Sequence, residues 1–156
     1  MCDDFFIGEN MSNDYIYMEK AYQEAKKALA IDEVPIGAIV VYHDMIIGYG
    51  YNKRETEQQV VAHAEMIALQ QACSRLQSWR LDECDIYITL EPCIMCSGAI
   101  IQSRCKRVIY GAPSKRWASL SQIIDIANVN HHPEIIGGIM EESCASLLSQ
   151  YFVNKR

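Results

Sequence analysis

Two short motifs constrain the fold of this chain more than anything else in it: His63-Ala-Glu65, and further along Pro92-Cys-Ile-Met-Cys96. On a helix, Cys93 and Cys96 stand at i and i+3 and share one face. In a helix's first turn, unpaired N–H groups and the dipole also favour thiolate. Pro92 suits that position, because its missing N–H would be unpaired there anyway. His63 and Glu65 are two apart, so in mid-helix they would point to opposite sides. They reach one site only from the first turn of a helix. A fold that lets both motifs serve a single site must therefore bring two helix N-termini together.

The rest of the pattern supplies such a frame. Ile16, Ala21, Ala25, Ala28 and Leu29 recur at helical spacing within residues 14–31, with Ser12, Asn13 and Asp14 available as caps. Residues 36–42 read as a strand, His43-Asp44 as a tight turn and residues 45–51 as the hairpin partner. A polar loop, 52–59, leads into a helix over 62–76. The run 85–90 is rich in β-formers and reads as a buried strand, followed by a helix over 93–103 and a strand over 107–110 that Gly111 closes. A helical stretch over 120–127, an extended piece at 134–136 and a last helix over 139–153 complete the chain. A hairpin followed by strand–helix alternation predicts an α/β layered fold. With no repeat or linker, residues 1–156 read as one domain.

Half of the residues are hydrophobic, yet no apolar run approaches the roughly 20 residues of a membrane span. The N-terminus is acidic and lacks the basic start of a signal peptide, so a cytoplasmic location is expected. The seven cysteines are odd in number and irregularly spaced apart from Cys93 and Cys96, which argues against a disulfide framework. The net charge of −6 argues against a nucleic-acid partner only until its distribution is considered. Residues 1–49 hold three Lys/Arg against nine Asp/Glu, whereas residues 101–156 hold seven against four. The second half of the chain thus permits a basic face.

The chemistry lies in the conjunction of the motifs. A Cys-x-x-Cys alone fits a structural metal half-site or a redox pair, and a first-turn Glu alone is a dipole partner. Together, His-x-Glu and Pro-Cys-x-x-Cys are the signature of zinc deaminases that act on bases. His63, Cys93 and Cys96 would hold one Zn2+ per chain, three protein ligands leaving one open position. Glu65 would be the catalytic proton shuttle.

Beyond the two motifs the chain carries Glu33-Val-Pro-Ile-Gly-Ala38, Asn52, Leu90-Glu-Pro-Cys-Ile-Met-Cys-Ser-Gly-Ala99, Gly111-Ala112, Asn130-His131 and Tyr151-Phe152. From about residue 15 to its end it thereby resembles the TadA family of bacterial tRNA-specific adenosine deaminases, in the cytidine-deaminase-like superfamily. The resemblance implies a three-layer αβα sandwich with a mixed five-stranded sheet, a homodimer, and a hydrolase acting on a cyclic amidine. The expected reaction turns adenosine into inosine at the wobble position of tRNA, with the anticodon stem-loop as partner. By the same resemblance Asn52 would bond the flipped base and Val34 and Ile36 would form an apolar wall. Arg104, Lys106, Arg107, Lys115, Arg116, Asn130, His131, Lys155 and Arg156 are the candidate RNA contacts.

Two segments depart from the family pattern. Gln59-Val60-Val61 stands where the family shows Asp-Pro-Thr, and the loop at 112–119 is shorter and lacks the family's Asp and later glycines. Residues 1–12 read as a poorly ordered N-terminal extension. The altered loop keeps two alternatives in play: a deaminase of a free nucleobase or nucleoside such as guanine or cytosine, and a non-catalytic zinc-stabilised RNA-binding or partner subunit.

Overall fold

The computed structural model describes residues 9–115, 118–126 and 128–155. The elements are α1 (Glu9–Ala30), β1 (Gly37–Tyr42), β2 (Met45–Tyr51), α2 (Arg54–Glu57), α3 (Ala64–Leu76), β3 (Cys84–Leu90), α4 (Ile94–Ser103), β4 (Arg107–Ala112), α5 (Leu120–Ile126), β5 (Glu134–Ile136) and α6 (Glu141–Asn154). The five strands form one mixed sheet in the order β2-β1-β3-β4-β5, with β1 antiparallel to both neighbours and β3, β4 and β5 parallel.

Alternation along the strands explains the three layers, because successive side chains in a strand point to opposite faces. Ala38, Val40, Ile86, Ile88 and Val108 enter one buried cluster with Ala64, Ala68 and Ala72 of α3, Ile100 and Ile101 of α4 and Leu120 of α5. Their neighbours Ile39, Val41, Tyr87 and Ile109 enter a second cluster with Met18 and Ala21 of α1. α1 and α6 thus cover one face, and α3, α4 and α5 the other. The predicted three-layer αβα sandwich with a mixed five-stranded sheet is the observed fold.

Most boundaries follow the sequence reading closely, and the differences have local causes. The His43-Asp44 turn has both residues in the left-handed region, φ 46° and 63°, which matches the twist of the strands it joins. α1 begins at Glu9, five residues before the predicted start; of the expected extension, residues 1–8 lie outside the described residues. The loop 52–59 contains the single turn α2, whose Glu55 and Thr56 N–H groups are taken by the distant Glu33, while that of Arg54 goes to Asn52. Gly111 does not close β4; it continues the strand to Ala112, paired with Leu90 of β3.

The seating of α3 on the sheet depends on small residues. A Cβ at Gly48 would lie 2.2 Å from the Ala68 carbonyl oxygen, and one at Gly50 would lie 2.1 Å from that of Ala64. Two glycines of β2 facing Ala64, Ala68 and Ala72 let the helix backbone approach the strand closely. That approach fixes the first turn of α3, where the first motif lies. No helix among the described residues is long and apolar enough to cross a membrane.

Candidate active site

Both motifs begin a helix, as their spacing required. His63 is the N-cap of α3 with extended backbone, φ −87° and ψ 152°, and Cys93 is the N-cap of α4, φ −71° and ψ 178°. Neither side chain caps its own helix, so each is free to turn toward the other. His63 Nδ1 stands 3.8 Å from Cys93 Sγ and 3.5 Å from Cys96 Sγ. All three ligand atoms lie within 4.8 Å of one another. Ligands at about 2.0–2.3 Å from a tetrahedral centre are about 3.5–3.8 Å apart, so the group fits a metal ion. The donor set, one imidazole and two sulfurs, is suited to zinc.

Electrostatics point the same way. The Cys93 thiol is pulled down to about 4, first by its hydrogen bond with Cys96 and then by His63, against its burial. The Cys96 thiol is pushed up by the same hydrogen bond and by burial. His63 is raised, chiefly by its hydrogen bond with Cys93. The three groups thus share protons in a space where one cation would serve all of them. Glu65, only 4% exposed, lies against this group, and burial raises its pKa. A carboxyl that ionises closer to neutrality is suited to passing a proton in both directions.

A cavity of about 540 Å³ opens onto these residues. Val34, Ile36, Asn52, His63, Glu65 and Cys93 line its floor and near wall. The Asn52 amide donates to the Val34 carbonyl at 3.3 Å, and its oxygen accepts the Arg54 N–H at 3.1 Å. An amide has two donors and two acceptor lone pairs, so one of each is still free for a ligand. Ala145, Leu148, Ser149 and Phe152 of α6 close the far wall.

The candidate basic residues divide into two groups. Lys115 lines the cavity, and Lys155 pairs with Asp32 at 2.5 Å, in the loop leading to the Val34 wall. Arg104, Lys106, Arg107, Asn130 and His131 gather at the opposite end of the sheet and do not join the site. There, Arg107 is bound by Asp14 and Asp85 at 3.0 Å each, and Arg104 caps α4 by donating to the Ile101 and Gln102 carbonyls. His131 bonds the Cys105 carbonyl oxygen at 2.7 Å. Arg116 and Arg156 lie outside the described residues.

Sequence reasoning missed Arg54, Glu91 and the α6 face as parts of the cavity wall. The α6 positions 141, 145, 148, 149 and 152 do show helical spacing, which could have marked a common face. Arg54 carried no such signal.

A three-layer αβα sheet, with a His/Cys/Cys triangle and a buried glutamate where two helices begin, defines a deaminase of the cytidine-deaminase-like fold. The model of the MafB19-like deaminases matches residues 12–147. The tRNA-specific adenosine deaminase of Bacillus subtilis (strain 168) is 43% identical over 145 residues, covering 91% of this chain and 90% of that protein. A solved structure from studies of A-to-I editing by tRNA:A34 deaminases at the wobble position of transfer RNA is 36% identical. Its TM-score is 0.81, over 85% of this chain and 98% of that one. The guanine deaminase of Bacillus subtilis is also 36% identical, with TM-score 0.60 over 63% of each chain. The chain belongs to the family of the tRNA-specific adenosine deaminases.

Proposed function

We propose that this chain hydrolyses adenosine to inosine at the wobble position of tRNA, with one zinc ion held by His63, Cys93 and Cys96. The observation that carries the substrate is the 43% identity to a tRNA-specific adenosine deaminase across nearly the full length of both proteins. Zinc, when bound, brings the pKa of water down to about 7 and so makes hydroxide available at neutral pH. Glu65 accepts the proton of the attacking water and passes it to the ring nitrogen beside the attacked carbon. It then takes the proton of the hydroxyl now on the tetrahedral carbon and gives it to the amine, so that the C–N bond breaks, the carbonyl forms and ammonia leaves. Its burial keeps that proton from bulk water. Asn52 orients the base with its free donor and acceptor, and Val34 and Ile36 pack against the ring. Lys115, and Lys155 beyond it, would meet the phosphates of the anticodon stem-loop.

The enzyme works as a cytoplasmic homodimer, with the whole chain as one catalytic domain. Val60, Val61 and Ile94, exposed by 73%, 40% and 65%, flank the two helix starts and form the apolar patch that a second copy would cover. Dimer mass in solution, lost on replacing Ile94 by Glu, tests that part.

The deciding experiment is inosine formation in an anticodon stem-loop with adenosine at the wobble position, run beside guanine, cytosine and free nucleosides. Inosine in the RNA, with affinity that falls steeply as salt rises, supports the proposal. The guanine deaminase likeness over 63% of the chain makes a free base the second reading. Turnover of a base with no requirement for RNA would establish that reading instead.

A further inference from the structure

The carboxylate of Glu91 takes no part in the chemistry above, yet it is 4% exposed and lies between β3 and the Cys93 ligand. Its Oε1 accepts the N–H of Ser114 at 3.1 Å. Its Oε2 accepts the N–H of Ser121 at 3.0 Å and the Ser121 hydroxyl at 2.5 Å. Ser114 lies two residues past the end of β4, and Ser121 is the second residue of α5. Pro113, Ser114 and Lys115, in the segment that crosses from β4 to α5, line the cavity. Leu120 and Ser119 are buried and anchor the α5 side, but Pro113, Ser114, Lys115 and Ala118 are not, so apolar packing does not hold the part that faces the cavity. Among the described residues, backbone pairing seats the segment's margins: Glu91 N–H to the Ala112 carbonyl, Leu120 N–H to that of Pro92, and a bridge between Cys93 and Ser119.

We infer that Glu91 is a positioning residue for substrate: its two oxygens tie Ser114, just past β4, to Ser121, in the first turn of α5, and so hold the cavity wall that carries Ser114 and Lys115. The geometry requires a carboxylate. Two acceptor oxygens face N–H and O–H donors on two sides, whereas a glutamine would keep one oxygen and aim an NH2 group at the other donors. This inference rests on the proposed active site but not on which substrate enters it.

Glu91→Gln, Ser121→Ala and the native chain, each loaded with zinc, would be assayed on the stem-loop and on free bases in parallel. The identity of the substrate is decided by the native chain. The inference is decided by the ratio of variant to native, on whichever substrate the native chain accepts. A wall in its binding-competent place for only a tenth of the time raises the apparent KM about tenfold. Glu91→Gln is therefore expected to raise KM by about that factor while kcat falls less than about threefold. Zinc stays at one per chain, and the Ser114 and Ser121 amides exchange hydrogen at least roughly tenfold faster. Ser121→Ala, which keeps the backbone bonds, should shift KM in the same direction by less. A lower kcat at unchanged KM, loss of zinc, or unchanged exchange at both amides overturns the inference. If Glu91→Gln does not fold, Ser121→Ala decides: raised KM supports the inference and unchanged KM overturns it.

Discussion

Arg107 is the residue for which sequence and structure suggest the most different experiments. As one of a run of cations it is a candidate phosphate contact, and its removal would then raise KM. In the fold its guanidinium lies between Asp14 and Asp85, at 3.0 Å from each, and also meets the Tyr87 hydroxyl at 3.2 Å. These side chains are only 19%, 6% and 23% exposed for Arg107, Asp14 and Asp85. Arg107→Met keeps the apolar stem but leaves two half-desolvated carboxylates with no cation. Removing one partner of a buried pair costs about 3–5 kcal/mol, and the residual exposure of Arg107 and Asp85 puts this case near the lower figure, about 3 kcal/mol. At about 2–4 °C per kcal/mol for a domain of this size, Tm should fall by about 6–12 °C. The network fastens α1 to the start of β3 and β4, about 17 Å along β4 from the cavity, so KM for the stem-loop should stay within about twofold. Arg107→Lys, which keeps a charge but not the planar fork, should fall between the two. Thermal unfolding of the zinc-loaded protein and steady-state kinetics at one salt concentration make the comparison. A severalfold rise in KM with Tm unchanged would refute the structural role and restore Arg107 as a substrate contact.

Three further outcomes follow from the same geometry. Glu65→Gln should lower kcat by at least about a hundredfold, as loss of a general acid–base does, while metal analysis still finds one zinc per chain; turnover within tenfold of native would remove Glu65 from the mechanism. Gly50→Ala places a methyl 2.1 Å from the Ala64 carbonyl oxygen, between His63 and Glu65. It should cost about 1–3 kcal/mol by overpacking and lower kcat as the first turn of α3 shifts; a native Tm and kcat would show that β2 yields instead. Burial alone would raise the Glu33 carboxyl, but the Thr56 hydroxyl and the N–H groups of Thr56 and Glu55 outweigh it and lower the pKa below the ordinary 4.5. A depressed carboxyl contributes stability that is complete above its unfolded pKa and is lost as pH falls through the folded one. The Tm gap between native and Glu33→Gln should therefore be constant above about pH 5.5 and close below about pH 4; a gap that widens on acidification would contradict that assignment.

The parts of this molecule legible in its sequence are those whose cause is local. The β-forming runs at 36–42, 45–51 and 85–90 marked three strands of the sheet. The His-Asp turn announced the hairpin, and Pro92 announced the start of α4. That His63, Cys93 and Cys96 come together was legible for the same reason: i, i+3 and i, i+2 spacings are facing rules of a helix turn, and the convergence of two N-termini satisfies both. What stayed hidden are contacts between segments far apart in the chain. Glu33 holds α2 across 22 and 23 residues, and Glu91 holds Ser114 and Ser121 across 23 and 30. Asp14 meets Arg107 across 93. No periodicity marks a carboxylate for such a role.

The charge runs did not show where each cation lies, for a related reason. Counting cations by position cannot tell Lys115, which faces the cavity, from Arg107, which is neutralised by two aspartates at the other end of the same strand. The strand direction decides it. β3 and β4 are parallel, so their starts gather the Arg104–Arg107 cations with Asp85, while their ends carry Glu91, Cys93 and Ser114 to the site. A residue's place along a parallel strand therefore says more about whether it can touch substrate than its charge does. By that rule Lys115, three residues past the end of β4, is the cation to expect in the RNA footprint among the described residues of that run.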